Sequence, residues 1–293
     1  MSDQANDLRK LVRRAARPQT EDAASPKLVV VTSGKGGVGT TSIALNLAIA
    51  LARDGRRTVL VDADLEGADA SKLCQLDEPA GSIAEILSGG QSVHETLQRG
   101  PGGIQVLPGT WSAGKLVDCS EAAQHRLLAQ LRCLGPHADF VILDVGSGAN
   151  RVVGRFWDAA DHVLLVTTSD VVSVMDAYAT VKVLCAARAP ASLASVVNFA
   201  ESHSAATEVH QRLAQACRRF LGLKLTFAGE IPCDPRVAAA SAGCRPFVLE
   251  YPACEASLHI EHLAQALTSP EGVRARPRKL LARSKAGARR ATA

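Results

Sequence analysis

Short runs of β-branched and aliphatic residues alternate along this chain with longer segments in which apolar positions return every three or four residues. The run at 28–32 precedes a helical pattern at 41–53, the run at 58–61 one at 83–87, and the run at 104–107 one at 121–134. Further runs at 140–143, 162–166, 195–198 and 225–228 are interleaved with helical patterns at 174–187 and 206–221. Runs that are apolar at consecutive positions suit strands buried on both faces, as in a parallel sheet under helices, and not a sheet with one wet face. The pattern predicts an α/β fold: a mostly parallel sheet covered by helices on both faces. Right-handed crossovers in such a sheet place ligands at the carboxyl ends of the strands, so chemistry is sought just after each run.

Two end segments fall outside this alternation. Residues 1–26 are polar and end at Pro26. Within them Ala5, Leu8, Leu11, Val12 and Ala15 recur at helical spacing among Arg9, Lys10, Arg13 and Arg14, which suits either an amphipathic partner-binding helix or a solvated arm. Beyond 268 the chain is rich in Arg, Ala, Pro and Gly without a sustained apolar stripe, the composition of a disordered tail. The expected organisation is an arm at 1–26, one folded domain at 27–268 and a basic tail at 269–293.

Composition narrows the class. With 47% hydrophobic and 21% charged residues the chain can bury a sizeable core and is neither wholly disordered, collagen-like nor a coiled coil. Aromatic residues are only 3%, too few for the interleaving with basic residues that stacks single-stranded nucleic acid. The net charge of +4 is unevenly placed: the stretch from Glu271 onward carries +7 and the rest −3, so nucleic acid is met, if at all, non-specifically by the tail. The eight cysteines form no C-x-x-C pair and read as reduced thiols, and His259 with His262 lacks the further ligands of a metal site. No apolar run reaches the ~18 residues of a membrane span and no secretory leader is visible, so the expected location is cytoplasmic.

The strongest feature is the passage from the run at 28–32 through Ser33 into Gly34, Lys35, Gly36, Gly37, Val38, Gly39, Thr40, Thr41 and Ser42. A buried strand, a loop with four glycines and a helix start form a phosphate cradle: the backbone N–H groups converge and the helix N-terminus adds about half a positive charge. Two ligand classes fit. Gly34, Gly36 and Gly39 also match a dinucleotide fingerprint, with Asp62 where a ribose-binding acid belongs, which leaves a dinucleotide-binding oxidoreductase as an alternative. Lys35 within the loop, the pair Thr40 and Thr41, and the second acid Asp64 favour a nucleoside triphosphate.

The loop resembles that of the MinD/ParA class of P-loop NTPases with a deviant Walker A motif, K-G-G-x-x-K-S/T. The resemblance implies ATP or ADP with Mg²⁺ as cofactors and a homodimer when ATP is bound, with Lys35 reaching the partner's nucleotide. Thr41, Asp62 and Asp144 are the implied magnesium set, Asp64 the hydrolytic residue that positions attacking water, and Asn198, Pro232 and Asp234 the adenine-side residues. The carboxylates at strand ends suit a cation on physical grounds as well. The departure is Thr40, which stands where the class has the lysine that reaches the β- and γ-phosphates. One lost cationic contact costs roughly 2 to 4 kcal/mol, or ~10²- to 10³-fold in rate, leaving slow ATP hydrolysis, a nucleotide-bound switch and an inactive ATPase all open.

Within this class the chain is similar, over about residues 27–268, to the flagellar-number regulators called FlhG, FleN or YlxH. The resemblance rests on Asp62-Ala63-Asp64-Leu65, Val106-Leu107-Pro108-Gly109, Asp176-Ala177-Tyr178-Ala179 with Val181-Lys182, and Ile231-Pro232, although Phe199 replaces the usual basic or Met residue. The arm residues Asp3, Gln4, Ala5, Leu8 and Arg9 fit the D-Q-A-x-x-L-R element with which these proteins stimulate the signal-recognition-type GTPase FlhF. The resemblance thus implies control of flagellar number or placement, with a MinD- or ParA-like division-site or cargo-positioning ATPase as the alternative. The tail lacks the usual amphipathic targeting helix; at roughly 1 kcal/mol per basic residue it suits only transient contact with an anionic membrane, a peripheral location at the inner face.

Overall fold

The computed structural model describes residues 25–64, 67, 69–76, 81–109, 120–186 and 190–269. Asp3, Gln4, Ala5, Leu8, Arg9 and the basic tail lie outside the described residues.

β1 (Lys27–Ser33) is followed by the helix Thr40–Arg53, and β2 (Thr58–Asp62) by the short helices Asp69–Leu73, Ile83–Ser88 and Val93–Thr96. β3 (Gln98–Arg99) and β4 (Gln105–Leu107) lead to the helix Glu121–Arg132, and β5 (Phe140–Ser147) to the helix Arg151–Ala159. β6 (His162–Thr167), β7 (Leu193–Ala200) and β8 (Thr226–Pro232) are followed by Val171–Leu184, His203–Ala216 and Pro235–Ala242; Phe247–Glu250 and Glu255–Thr268 complete the described α-helices. The eight strands form one sheet in the order β3-β4-β2-β5-β1-β6-β7-β8. All neighbours are parallel except β3 and β4, so the mostly parallel sheet expected from the sequence is present.

The consecutive apolar residues of β1 divide between two layers. Val29 and Val31 pack on one face with Ile43, Leu47 and Leu51 of Thr40–Arg53 and Ile260, Leu263 and Leu267 of Glu255–Thr268. Leu28 and Val30 pack on the other with Leu127 and Leu131 and with Phe156 and Trp157 of Arg151–Ala159. This helix was not among the patterns read from the sequence; its nine residues supply only Val153, Phe156 and Trp157 as buried anchors. Asn150 starts it, its side chain accepting from the amides of Val152 and Val153 at 2.9 Å. Within the apolar layer, Asn46 is buried but satisfied: it donates to Ser42 O at 2.7 Å and accepts from the amide of Val248 at 3.0 Å.

β1 lies between β5 and β6, with β2 and β4 on one side and β7 and β8 on the other. The chain reverses direction across the sheet there, which opens a crevice at the carboxyl end of β1 where the glycine loop begins.

Candidate functional site

The loop from Ser33 to Thr40 is shaped by three glycines with different tasks. A side chain on Gly34 would place its Cβ 2.2 Å from the backbone of Asp176, so the helix Val171–Leu184 packs directly against the loop's first turn. Gly37 and Gly39 have φ of 80° and 88°, the left-handed region that favours glycine. Gly39 is the residue before the helix Thr40–Arg53; no side chain caps that helix and no acid lies in its first turn. Uncapped amides at a helix start are an anion site. Val38 turns its side chain into the core and is 2% exposed, so only its backbone is available to a ligand.

Thr40 is also turned inward. It is 7% exposed and donates from Oγ1 to Ser33 Oγ at 2.8 Å, while Ser33 Oγ donates to Lys35 O at 3.0 Å. The residue that replaces the loop lysine therefore braces the loop. Lys35, in contrast, points out and pairs in its own chain with Asp170 at 2.8 Å. This partly exposed pair holds the Asp170 carboxyl below its ordinary range, chiefly through the Lys35 hydrogen bond.

Parallel pairing of β2 and β5 sets Asp62 beside Asp144 in register. Both are 0% exposed. Asp62 Oδ2 accepts from the Ser71 amide at 2.9 Å and hydroxyl at 2.7 Å, leaving Oδ1 without a hydrogen-bond partner. Asp144 Oδ1 accepts from the Gly146 amide at 3.4 Å, and its Oδ2 has no partner. Burial pushes the Asp144 carboxyl up to about 7, opposed by the nearby Thr41 hydroxyl and the Gly146 amide and reinforced by repulsion from Asp62 and Asp64. Burial also raises Asp62. Two adjoining buried carboxylates with orphaned oxygens and no ion pair among the described residues fit a bound cation. Among the described residues no three acids, histidines or cysteines close an all-protein metal cage. Mg²⁺ binds through one or two carboxylates and keeps waters and phosphate oxygens in its shell. Asp64 stands alongside: a Cβ on Gly146 would lie 2.5 to 2.7 Å from its carboxylate atoms.

The ends of β7 and β8 build the far side. Asn198 Nδ2 donates to Val38 O at 2.8 Å, tying β7 to the loop. Asp234 caps the helix Pro235–Ala242 and accepts from the Arg236 amide at 2.9 Å. Its bond to the Arg236 side chain holds it below the usual carboxylate range. Asn198, Pro232 and Asp234 line a cavity of about 350 Å³ that opens onto the loop at Gly39 and Ser42. The structure brings Gly39, Ser42, Asn198, Pro232 and Asp234 together at this cavity, and sets Asp62 beside Asp144 with Asp64 next to Gly146. Ser33, Ser71 and Asp170 were missed there; Asp170 follows β6 directly, where the fold rule directs attention.

A crevice with a phosphate loop, buried acids fit for a cation and an adjoining apolar cavity defines a nucleotide-binding P-loop protein. Residues 29–247 match the family model CbiA, the CobQ/CobB/MinD/ParA nucleotide binding domain, and the chain belongs to this family. It is 32% identical over 243 residues to the antiactivator FleN of Pseudomonas aeruginosa, covering 83% of this chain and 86% of that protein. It is 29% identical over 190 residues to the flagellum site-determining protein YlxH of Helicobacter pylori, covering 62% of each. The fold matches the septum site-determining protein MinD complexed with Mg-ADP from Pyrococcus horikoshii at a TM-score of 0.70 and 21% identity, covering 86% of this chain and all of that one. Among the described residues no helix is long and apolar enough to cross a membrane.

Proposed function

We propose that this chain is an ATP-dependent dimerising switch that regulates the number or placement of flagella. The observation that carries the reading is the pair of buried acids, Asp62 and Asp144, with orphaned oxygens beneath an uncapped phosphate loop, in a chain of FleN-like sequence. Thr41, Asp62 and Asp144 would hold Mg²⁺, which neutralises phosphate charge when bound. The amides of Gly36 to Thr41 bind the phosphates, and Asn198, Pro232 and Asp234 border the base. Asp64 holds the attacking water.

Dimerisation over the nucleotide is supported by the surface beside Lys35. Val171, Val172 and Met175 are 65, 55 and 65% exposed on the helix that Asp170 begins. Such an apolar row is characteristic of an association face. Lys35 leaves Asp170 to reach the partner's nucleotide, an exchange made easy because a half-exposed ion pair contributes only ~0 to 1 kcal/mol. With Thr40 engaged with Ser33, turnover is slow and the ATP-bound state is long-lived. The arm presents Asp3, Gln4, Ala5, Leu8 and Arg9 to an FlhF-like GTPase, and the tail supports transient contact with an anionic membrane at the inner face of the cell membrane.

A division-site or cargo-positioning role is the second reading, favoured by the MinD-like fold. Against the dinucleotide reading stands Asp62, which is buried with its Oδ2 engaged by Ser71. The test is purified protein with ATP·Mg²⁺, ADP and NAD(P), followed by stimulation of an FlhF-like GTPase with wild type and Gln4→Ala. ATP stabilisation with Gln4-dependent stimulation is expected. Stabilisation by NAD(P) alone would sink the reading, and stimulation unaffected by Gln4→Ala would remove the GTPase role.

A further inference from the structure

β7 and β8 slip register between Asn198 and Ala200, and the residue left at the slip is Phe199. Its φ is 54°, a left-handed backbone that a bulky residue adopts only where the surroundings impose it. Its neighbours Asn198 and Ala200 are 6% and 3% exposed, whereas Phe199 is 45% exposed. Bulges re-aim side chains, and they collect next to binding sites. This one takes an aromatic ring out of the sheet layer and sets it at the lip of the 350 Å³ cavity behind the phosphate loop. The ring tip is close to the loop itself: a Cβ on Gly39 would lie 3.8 Å from Phe199 Cζ. The lining also includes Ile43, Ile231 and Phe247, so the cavity is largely apolar, and it reaches the loop at Gly39 and Ser42.

We propose that Phe199 is the base platform of this site: the ring on which the base of a nucleoside di- or triphosphate packs while its phosphates lie on the loop. By this contact the site distinguishes a nucleotide from a bare polyphosphate. The inference rests on the nucleotide reading above and adds a residue to it. Thr40 gives the argument its weight. With Thr40 in place of the lysine that would reach the β- and γ-phosphates, and Lys35 paired with Asp170, more of the affinity falls to the base end, and a stacked ring supplies it without requiring a particular base.

The test uses full-length protein and dissociation constants, measured calorimetrically, for ATP, ADP and tripolyphosphate, each with Mg²⁺. Phe199→Ala is expected to weaken ATP and ADP about tenfold or more and to leave tripolyphosphate unchanged, the scale of one lost base-aromatic stack. Phe199→Trp retains the wild-type affinity. Phe199→Gly separates binding from structure: it relieves the positive φ and raises the melting temperature of the ligand-free protein while losing the same affinity as Phe199→Ala. ATP affinity within about twofold of wild type in Phe199→Ala, far below the stacking scale, overturns the proposal and leaves the nucleotide reading intact. A wild-type protein that binds tripolyphosphate as tightly as ATP does the same. Wild-type protein that binds neither ATP nor ADP overturns both.

Discussion

Thr40 hydrogen-bonds Ser33 at 2.8 Å across the base of the phosphate loop, with its hydroxyl directed inward. The substitution that removes a cation from the loop also installs a brace between the end of β1 and the start of the following helix.

Thr40→Lys breaks that brace and restores the charge, so the two effects are expected to separate. Melting of the ligand-free protein should fall by the equivalent of about 1 kcal/mol, the net worth of one buried hydrogen bond. Phosphate release should rise about 10²- to 10³-fold, measured at steady state with ATP·Mg²⁺. An unchanged rate would mean that the lysine is not what limits turnover.

The Lys35–Asp170 pair gives a second expectation. Asp170→Asn removes the charge but keeps an oxygen that caps the helix Val171–Leu184. Stability of the monomer should stay within about 1 kcal/mol, as for other exposed pairs. The dimer fraction with ATP should increase, seen by light scattering, because Lys35 no longer has to leave its partner. A dimer fraction equal to wild type removes the latch.

Two loop glycines should respond differently to alanine. Gly34→Ala drives a Cβ to 2.2 Å from the backbone at Asp176, which cannot retreat without moving a packed helix. A loss of about 1 to 3 kcal/mol is expected from such overpacking, together with loss of nucleotide binding. At Gly36 the nearest atom to an added Cβ is Ser147 Oγ at 3.9 Å, so Gly36→Ala should melt like wild type. Paired thermal melts check both.

Asp144 makes stability depend on pH. Its carboxyl is raised to about 7 in the folded protein, against an ordinary value of 3.8. Between those values the unfolded chain has released a proton that the folded chain retains, so this group's contribution is fully present below pH ~4 and is lost as pH rises towards ~7. Asp144→Asn should flatten the stability profile across that window and raise the melting temperature of the ligand-free protein at pH 8. Mg²⁺ needs the ionised form, so its stabilising effect with nucleotide should strengthen as pH rises through ~7 in wild type. Melting curves from pH 4 to 8 with and without Mg²⁺ report both; an Asp144→Asn profile parallel to wild type would contradict the assignment.

The sequence by itself determined the sheet class and the phosphate loop, because both are local. Consecutive apolar residues such as Leu28 to Val31 force burial on both faces, and a loop whose amides converge needs its glycines side by side. Asp62 and Asp144 were legible for the same reason, each ending an apolar run. Only the tertiary structure decided how these groups are used. The order β2-β5-β1-β6 brings Asp144 against Asp62, and Asp170 against Lys35 from 135 residues away. Ser71 engages one oxygen of Asp62 and leaves the other open. Thr40 looked from its position like a phosphate-facing residue, yet its hydroxyl is held by Ser33. Phe199 was legible only as a departure from the usual basic or Met residue after the run at 195–198, and a register slip in β7 sets it near the loop. Side-chain direction and pairing depend on which strands become neighbours, and that is settled by packing the whole sheet, not by any local stretch of chain.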